Sequence, residues 1–228
     1  MKIGVLLSGC GVYDGSEIHE ATFTLLAIDE NKAEALCMAP DILQHHVLNH
    51  INGEEIDEKR NVLVESARIA RGNIRSLKDV ACDDIDAMVI PGGFGAAKNL
   101  TKWAFEGPAG DINPEVKRII VEMHDAGKPV CGLCMGPTVI AKALEESGVQ
   151  VSLTVGTTDE SSPYDIKDVS DGMEALGAKA VMHSIREIET DEVNKIVSAP
   201  CYMMDASVAE VRGNIKMAVD KLIEMAAR

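Results

Sequence analysis

Short apolar runs alternate with helical patterns along nearly the whole chain, and this alternation limits the fold more than any other feature of the sequence. A run of about five apolar residues fits a buried strand, whereas apolar residues at every third or fourth position fit one face of a helix. Buried strands alternating with helices predict an α/β fold, a three-layer sandwich in which helices cover both faces of a mostly parallel sheet. The predicted strands occupy residues 2–7, 35–38, 85–90, 129–133, 149–155, 180–184 and 196–199.

Helical patterns fill the segments between these strands. The segment Asp14-Gly15-Ser16 is expected to supply the cap of the first helix, and Pro114 opens another helix. Asn52-Gly53 indicates a hairpin turn within a polar middle segment. Because no repeat or linker interrupts the pattern, residues 1–228 are predicted to form a single domain. Further helices are predicted over residues 61–71, 137–147 and 206–227, with one more ending at residue 177.

Composition narrows the range of functions. Of the 228 residues, 46% are apolar, and 22 basic against 37 acidic residues leave a net charge of −15. An acidic surface repels phosphate backbones and anionic membranes, so no nucleic-acid or membrane partner is predicted. No apolar stretch reaches the roughly 18 residues that cross a bilayer, and a cytoplasmic protein is expected. Aromatic residues make up only 3%, which favours a small substrate over one held by stacking.

Three glycine-rich segments each follow a predicted strand, at residues 9–15, 92–93 and 132–136. Parallel strands of an open α/β sheet end at the same edge, and ligands bind in the crevice beyond that edge. The three segments are therefore expected to converge on one site.

The segment 129–137 (PVCGLCMGP) has the pattern of a nucleophile elbow, in which a tight turn between a strand and a helix displays one residue between glycines. The displayed residue is Cys134. Amides at the helix start and a neighbouring acid are expected to favour its thiolate. The alternative is a buried, inert cysteine, which leaves Gly132 and Gly136 without an evident purpose.

Cys131 and Cys134 also form a C-x-x-C pair, a spacing found in zinc sites and in redox-active dithiols. No second pair lies at zinc-site spacing, and Cys131 falls within a predicted strand, where packing is the favoured role. The six cysteines, without an export signal, are expected to be reduced thiols.

Three longer motifs carry a resemblance to a known family: Leu7 to Glu20 (LSGCGVYDGSEIHE), Ile90 to Leu100 (IPGGFGAAKNL), and GKP at 127–129 leading to the elbow. The chain resembles the ThiJ/PfpI superfamily, specifically the ElbB-type glyoxalases related to class I glutamine amidotransferases, nearly from end to end. The resemblance implies a flavodoxin-like sandwich and a homodimer, since the family is often dimeric. It also implies that the elbow cysteine adds to glyoxal or methylglyoxal, without glutathione, a cofactor or a metal.

The resemblance further implies a glutamate from the first helix beside the cysteine, a position that matches Glu20, with Glu17 the less favoured candidate. Pattern alone leaves open that Glu20 only complements the helix dipole. In the expected mechanism the cysteine forms a hemithioacetal, Glu20 moves a proton through an enediol, and hydrolysis releases a hydroxy acid. The amides of Gly93 and Met135 are the expected donors to the developing oxyanion.

Two departures from relatives bear on the chemistry. Superfamily peptidases carry histidine directly after the elbow cysteine, whereas this chain has Met135, so a protease dyad is absent. Many relatives also supply a histidine from the next strand, yet residues 151–157 contain none. His19, beside Glu20, is the nearest candidate to assist, although a solvated histidine without a role is an equal alternative. The other five histidines are interpreted as structural.

Three other functions stay open at this point. An oxidisable Cys134 held by Glu20 and helix amides suits a redox sensor or interaction domain. Repair of glycated proteins would use the same nucleophile and is not separable from the sequence. A glutaminase remnant is disfavoured, because the required histidine is missing.

Overall fold

A computed structural model describes residues 1–228, and its main feature is a seven-stranded sheet with helices on both sides. The strands are β1 (Lys2–Leu6), β2 (Glu34–Ala39), β3 (Ile74–Ser76), β4 (Ala87–Ile90), β5 (Val130–Leu133), β6 (Ser152–Gly156), β7 (Lys179–Met182), β8 (Glu189–Asp191) and β9 (Ile196–Ala199). The helices are α1 (Ile18–Glu30), α2 (Val62–Ile69), α3 (Trp103–Glu106), α4 (Pro114–Asp125), α5 (Gly136–Leu144), α6 (Ile166–Ala175) and α7 (Val208–Ala226).

The strand order in the main sheet is β3-β2-β1-β4-β5-β9-β8. Every neighbouring pair is parallel except β8 with β9, which is antiparallel. β6 and β7 pair with each other in a separate two-stranded sheet. The predicted α/β, flavodoxin-like sandwich with a mostly parallel sheet is thus confirmed.

The central strands read as continuous apolar runs because helices bury both of their faces. All four residues of β4, β5 and β9 are buried, and all of them except Gly132 and Ser198 belong to a core cluster of 55 buried hydrophobic residues. Burial on both faces explains why these strands could be predicted without any alternation of polar and apolar residues. None of the helices combines the length and the apolar character needed to cross a membrane.

The edges of the sheet differ from the sequence prediction. β3 and β8 were not predicted, because each has three residues and carries charged or polar side chains (IRS and ETD). The strand predicted over 149–155 begins only at Ser152 and pairs with β7 rather than with the main sheet. The turn at Asn52-Gly53 is present, closed by a single antiparallel bridge between Leu48 and Glu55. Short edge strands form only by pairing with segments that are distant in the sequence, so the local residue pattern does not indicate them.

The first helix is capped differently from the prediction. α1 begins at Ile18, and its N-cap is Glu17, whose side chain accepts a hydrogen bond from the amide of Glu20. Asp14 is buried and its carboxylate accepts from the amide of Leu48, so it anchors the polar middle segment instead. The predicted cap within Asp14-Gly15-Ser16 is therefore wrong, because tertiary contacts occupy both side chains: the hydroxyl of Ser16 accepts from the amide of Ser8.

The strand order reverses at β1, where the chain moves first outward to β2 and β3 and then back to β4. In open α/β sheets the crevice at such a reversal is the usual place for a ligand. The loops that follow β1, β4, β5 and β9 all leave the same edge of the sheet, and the candidate site lies among them.

Candidate active site

Cys134 lies between β5 and α5 with a φ of 55°, in the left-handed region that non-glycine residues rarely adopt. Its amide donates to the carbonyl of Ala199 at 3.0 Å, which ties the turn to the end of β9. A methyl group on Gly136 would lie 2.5 Å from the carbonyl oxygen of Ile90, and one on Gly132 would lie 2.7 Å from the Pro137 nitrogen. Both glycines are needed for close packing of a strained elbow.

Glu20 lies on the first turn of α1 and is fully buried. Its Oε2 accepts a hydrogen bond from the amide of Gly92 at 2.9 Å, and its Oε1 accepts from the amide of Tyr202 at 3.2 Å. The carboxyl group also hydrogen-bonds the thiol of Cys134. A methyl group on Gly92 would lie 2.4 Å from Cys134 Cβ and 2.7 Å from Glu20 Oε2. Glycine at 92 therefore leaves the space in which acid and thiol meet.

Burial controls the protonation of this pair. It raises the pKa of Glu20 to about 8, and the negative charge of Glu17 adds to the rise. Burial followed by the charge of Glu20 raises the pKa of Cys134 well above its usual value. The pKa of Cys134 is thus shifted upward, whereas the sequence led us to expect a lowered pKa and a thiolate at the start of the helix. The Glu20 carboxyl group and the Cys134 thiol are therefore both largely protonated near neutral pH. A thiolate forms only when the thiol proton is transferred, and the Glu20 carboxylate is the group in place to accept it.

The amides of Gly93 and Met135 donate to the Cys134 sulfur and oppose the rise of its pKa. Gly93 has a φ of 94°, and a methyl group there would lie 2.4 Å from the Glu17 nitrogen, so only glycine brings this amide so close. Met135 is the N-cap residue of α5. The structure thus brings both predicted donors to the sulfur itself, and their action on an oxygen stays a prediction.

Glu17 and His19 occupy different positions relative to the sulfur. Glu17 lines the same pocket as Cys134, and its backbone amide donates to the carbonyl of Gly92 at 2.9 Å. His19 is exposed and does not line that pocket. Its Nδ1 lies 2.8 Å from the hydroxyl of Tyr202, the residue whose amide holds Glu20. Any influence of His19 on the thiol must pass through Tyr202.

A loop after β9 that sequence reasoning missed completes the site. Cys201 also adopts a left-handed conformation, with a φ of 50°, and its amide donates to Oδ1 of the buried Asn214 at 3.0 Å. This bend turns the next amide, that of Tyr202, toward Glu20. The only signal in the sequence was that the loop directly follows a predicted strand.

Cys134 opens into a pocket of about 430 Å³. Cys134 itself is 5% exposed, so the pocket is its route to solvent. No histidine, lysine or arginine lines the pocket. The absence of a lining histidine removes the partner that a Cys-His glutaminase or protease needs. Five of the seven aromatic residues of the chain contribute to the walls: Phe94, Trp103, Phe105, Tyr164 and Tyr202.

Cys131 does not share the role of its C-x-x-C partner. Cys131 is fully buried in β5, and burial raises the pKa of its thiol. All six cysteines are free thiols, as the sequence predicted. No group of three histidine, cysteine or acidic side chains lies close enough together to hold a metal ion.

Comparisons with known proteins show relatives in sequence and in fold. The chain is 40% identical over 229 aligned positions to the glutamine amidotransferase-like class 1 domain-containing protein 3, mitochondrial, of Homo sapiens, covering 100% of this chain and 84% of that protein. It superimposes with a TM-score of 0.89 and 32% identity on an isoprenoid biosynthesis protein with an amidotransferase-like domain from Ehrlichia chaffeensis, over 99% of both chains. Glyoxalase III of Candida albicans shares the fold, with a TM-score of 0.60 and 17% identity over 100% of this chain and 96% of the other.

These relatives overturn the expected cytoplasmic location. The human protein is named as mitochondrial, and so are its counterparts from Rattus norvegicus and Danio rerio. The prediction relied on the lack of a leader-like apolar segment, but the composition of a folded domain does not determine the compartment to which a protein is targeted.

The family assignment rests on sequence and structure together. A sequence model of the DJ-1/PfpI family matches residues 51–155, which include the elbow. The human relative matches the chain from end to end, and the Ehrlichia structure shares its complete topology. On these matches, the chain belongs to the DJ-1/PfpI family, which is also called ThiJ/PfpI and is related to class I glutamine amidotransferases.

Proposed function

We propose that this protein is a glutathione-independent glyoxalase that converts an α-oxoaldehyde, such as glyoxal or methylglyoxal, into a hydroxy acid. One observation carries the proposal: Cys134 lines a pocket, and its sulfur is hydrogen-bonded to the Glu20 carboxyl group and to two backbone amides. A nucleophile and a proton carrier in direct contact suit an isomerisation that moves one proton between neighbouring carbons. The fold shared with a protein named glyoxalase III is consistent with this chemistry.

The first step forms a bond between sulfur and carbon. The Glu20 carboxylate accepts the thiol proton while the Cys134 sulfur adds to the aldehyde carbon. The carbonyl π electrons move onto the oxygen, which takes the former thiol proton from Glu20 and becomes the hydroxyl of a hemithioacetal, so Glu20 is again a carboxylate. The amides of Gly93 and Met135 donate to this oxygen as the charge leaves the sulfur.

The second step moves a proton, and the third releases the product. Glu20 takes the proton from the hemithioacetal carbon and returns one to the neighbouring carbonyl carbon through an enediol, which leaves a thioester. Water then hydrolyses the thioester, the bond between sulfur and carbon breaks, and Cys134 regains its proton. The sum is the addition of one water to the dicarbonyl, so the scheme requires neither an oxidant nor a cofactor.

The raised pKa of Glu20 suits a group that must act both as a base and as an acid. With a pKa of about 8, roughly a tenth of the carboxyl groups are ionised at pH 7, enough to accept the thiol proton. The same group, once protonated, is an acid strong enough to return the proton near neutral pH. An exposed glutamate with its usual pKa would be a weaker base at this position.

The decisive experiment replaces the sulfur. Cys134→Ser is expected to lower the formation of lactate from methylglyoxal by at least about 10³-fold, because a serine hydroxyl ionises far less readily than a thiol. Product formation is followed by proton NMR, and circular dichroism checks that the fold is kept. Cys82→Ser, which removes a partly buried thiol outside the pocket, is the matched control. Wild-type turnover in Cys134→Ser would overturn the proposal.

A redox sensor built on the same sulfur draws less support from the site. Peroxide reacts with a preformed thiolate, and the raised pKa of Cys134 keeps that form scarce. In the glyoxalase scheme, by contrast, Glu20 removes the proton during the reaction. Mass spectrometry after mild peroxide treatment separates the two functions, since a sensor accumulates sulfinic acid at Cys134 and turns over no aldehyde.

A further inference from the structure

The aromatic residues of this chain are concentrated around one cavity. Phe94 follows β4, Trp103 and Phe105 belong to α3, Tyr164 precedes α6, and Tyr202 follows β9, so the five rings come from four separate segments. The two other aromatic residues, Tyr13 and Phe23, do not line it. Although aromatic residues are few, the fold gathers most of them around the pocket that Cys134 lines.

The aromatic walls are held in place before any ligand arrives. The rings of Phe94 and Tyr164 meet edge to face, with centroids 5.8 Å apart. The hydroxyl of Ser162 donates to the carbonyl of Met203 at 2.6 Å, which ties the loop carrying Tyr164 to the loop after β9. Trp103 packs against Gly172, where a methyl group would lie 2.8 Å from the indole ring. A preformed apolar wall favours rigid apolar ligands, because little ordering is needed on binding.

The size and the charge of the pocket restrict its ligand further. A volume of about 430 Å³ lies within the range of about 300 to 1,000 Å³ typical of drug-sized ligands, well above what glyoxal or methylglyoxal fills. Glu17, Asp165 and Asp168 line the pocket, whereas no cationic side chain does. A ligand with its own negative charge meets repulsion there that no lining cation offsets.

We propose that the physiological substrate is an α-oxoaldehyde whose other substituent is an aromatic or similarly broad apolar group without negative charge. The inference rests on the proposed function for the aldehyde, and on the pocket walls for the substituent. The aldehyde carbon meets the Cys134 sulfur, and the substituent packs against the pocket wall that Phe94, Tyr164 and Trp103 line. Burying a phenyl ring in place of a methyl group removes additional apolar surface from water, and this gain raises kcat/KM.

The test compares methylglyoxal, phenylglyoxal and 4-carboxyphenylglyoxal as substrates. We expect phenylglyoxal to exceed methylglyoxal in kcat/KM by about 10- to 100-fold, and the carboxylated analogue to be about tenfold poorer than phenylglyoxal. Phe94→Leu is expected to lower the ratio of phenylglyoxal to methylglyoxal by about fivefold, through loss of ring contacts. Phe23→Leu, which changes a partly buried ring outside the pocket, is the matched control and keeps the ratio unchanged.

A binding measurement separates failure of the inference from failure of the glyoxalase function. Trp103 is the only tryptophan of the chain and lines the pocket, so its fluorescence reports occupancy. Unreactive acetophenone is titrated into Cys134→Ser and into its double variant with Phe94→Leu. Saturable quenching that weakens in the double variant supports the aromatic ligand class, even if no aldehyde is turned over. Equal kcat/KM for methylglyoxal and phenylglyoxal, or quenching that does not saturate, overturns it.

Discussion

Two cysteines in this protein share an unusual backbone conformation but have different surroundings. Cys134 follows β5 and Cys201 follows the neighbouring strand β9, with φ values of 55° and 50°. Cys134 lines the pocket, whereas Cys201 is fully buried and does not. The first bend displays a sulfur, and the second aims the amide of Tyr202 at Glu20. A left-handed residue after a strand therefore indicates a nucleophile only where its side chain opens into a cavity.

The two bends are also coupled through the backbone. The amide of Cys134 donates to the carbonyl of Ala199 and contacts the sulfur of Cys201. A left-handed conformation costs about 1 to 2 kcal/mol at a non-glycine residue, so each bend needs contacts that hold it. For Cys201 the buried side chain of Asn214 supplies such a contact. One bend thus supports the other, and changes at each should have separable effects.

The largest effect is expected from replacing each of the two cysteines in turn by alanine. Cys134→Ala is expected to lower turnover of α-oxoaldehydes by at least about 10³-fold, because the nucleophile is lost. Cys201→Ala should keep turnover within about fivefold, since its side chain touches no pocket, while unfolding becomes easier by about 1 to 2 kcal/mol. Steady-state kinetics and urea unfolding measure the two effects. Equal loss of turnover in both variants would contradict the distinction between them.

The next largest effect concerns the proton carrier. Glu20→Gln is expected to lower kcat by about 10²- to 10³-fold, because glutamine cannot accept the thiol proton. The wild-type rate should rise with pH up to about 8, where the Glu20 carboxylate becomes the major form. Residual activity of Glu20→Gln should lack that rise, which a pH profile of kcat shows. A profile in the variant that still bends near pH 8 would assign the titration to another group.

A smaller effect tests the support from the second bend. Asn214→Ala is expected to lower kcat by about tenfold and to move the rising part of the pH profile to higher pH. The reason is that the Tyr202 amide, which lowers the pKa of Glu20, loses its fixed orientation. Asn31→Ala, which breaks a contact between α1 and α7 away from the pocket, is the control. A loss of stability without any shift of the profile would make Asn214 purely structural.

The last effect concerns stability rather than turnover. The pKa of Glu20 is about 8 in the folded protein against an ordinary 4.5, so the folded state binds the extra proton between these values. This contribution to stability is complete below pH 4.5 and disappears as the pH rises through 8. Relative to Glu20→Gln, the wild type should lose about 2 kcal/mol between pH 6 and pH 8, measured by urea unfolding. A constant difference between the two proteins would place the pKa of Glu20 outside this range.

Much of the fold could be predicted because its signals are local. The buried runs that became β1, β4, β5 and β9 are mostly apolar, and helices follow at regular spacing. β3 and β8 were missed because a three-residue segment with polar or charged side chains becomes a strand only when a neighbour pairs with it. The prediction of a helix cap at Asp14 failed for a similar reason, since the Asp14 carboxylate accepts a hydrogen bond from the distant amide of Leu48.

The candidate site divides in the same way. The glycines around Cys134 are consecutive in the chain, so the elbow could be recognised from sequence, and the position of Glu20 followed from the family resemblance. The contact between Glu20 and Tyr202 joins residues 182 positions apart, and no local pattern indicates it. The role of Asn214 was likewise missed, because its side-chain amide supports a loop that is distant in sequence and that only the tertiary structure brings to it.

The sequence by itself determined the alternation of strands and helices, the strained turn at Cys134 and the family. Only the tertiary structure decided that five aromatic residues line the pocket into which Cys134 opens, and that acid and thiol both hold their protons near neutral pH. The physical reason is that backbone preferences act between close neighbours in the chain. Burial, cavity shape and pKa depend instead on every segment that packs around a group, and these segments come from distant parts of the chain.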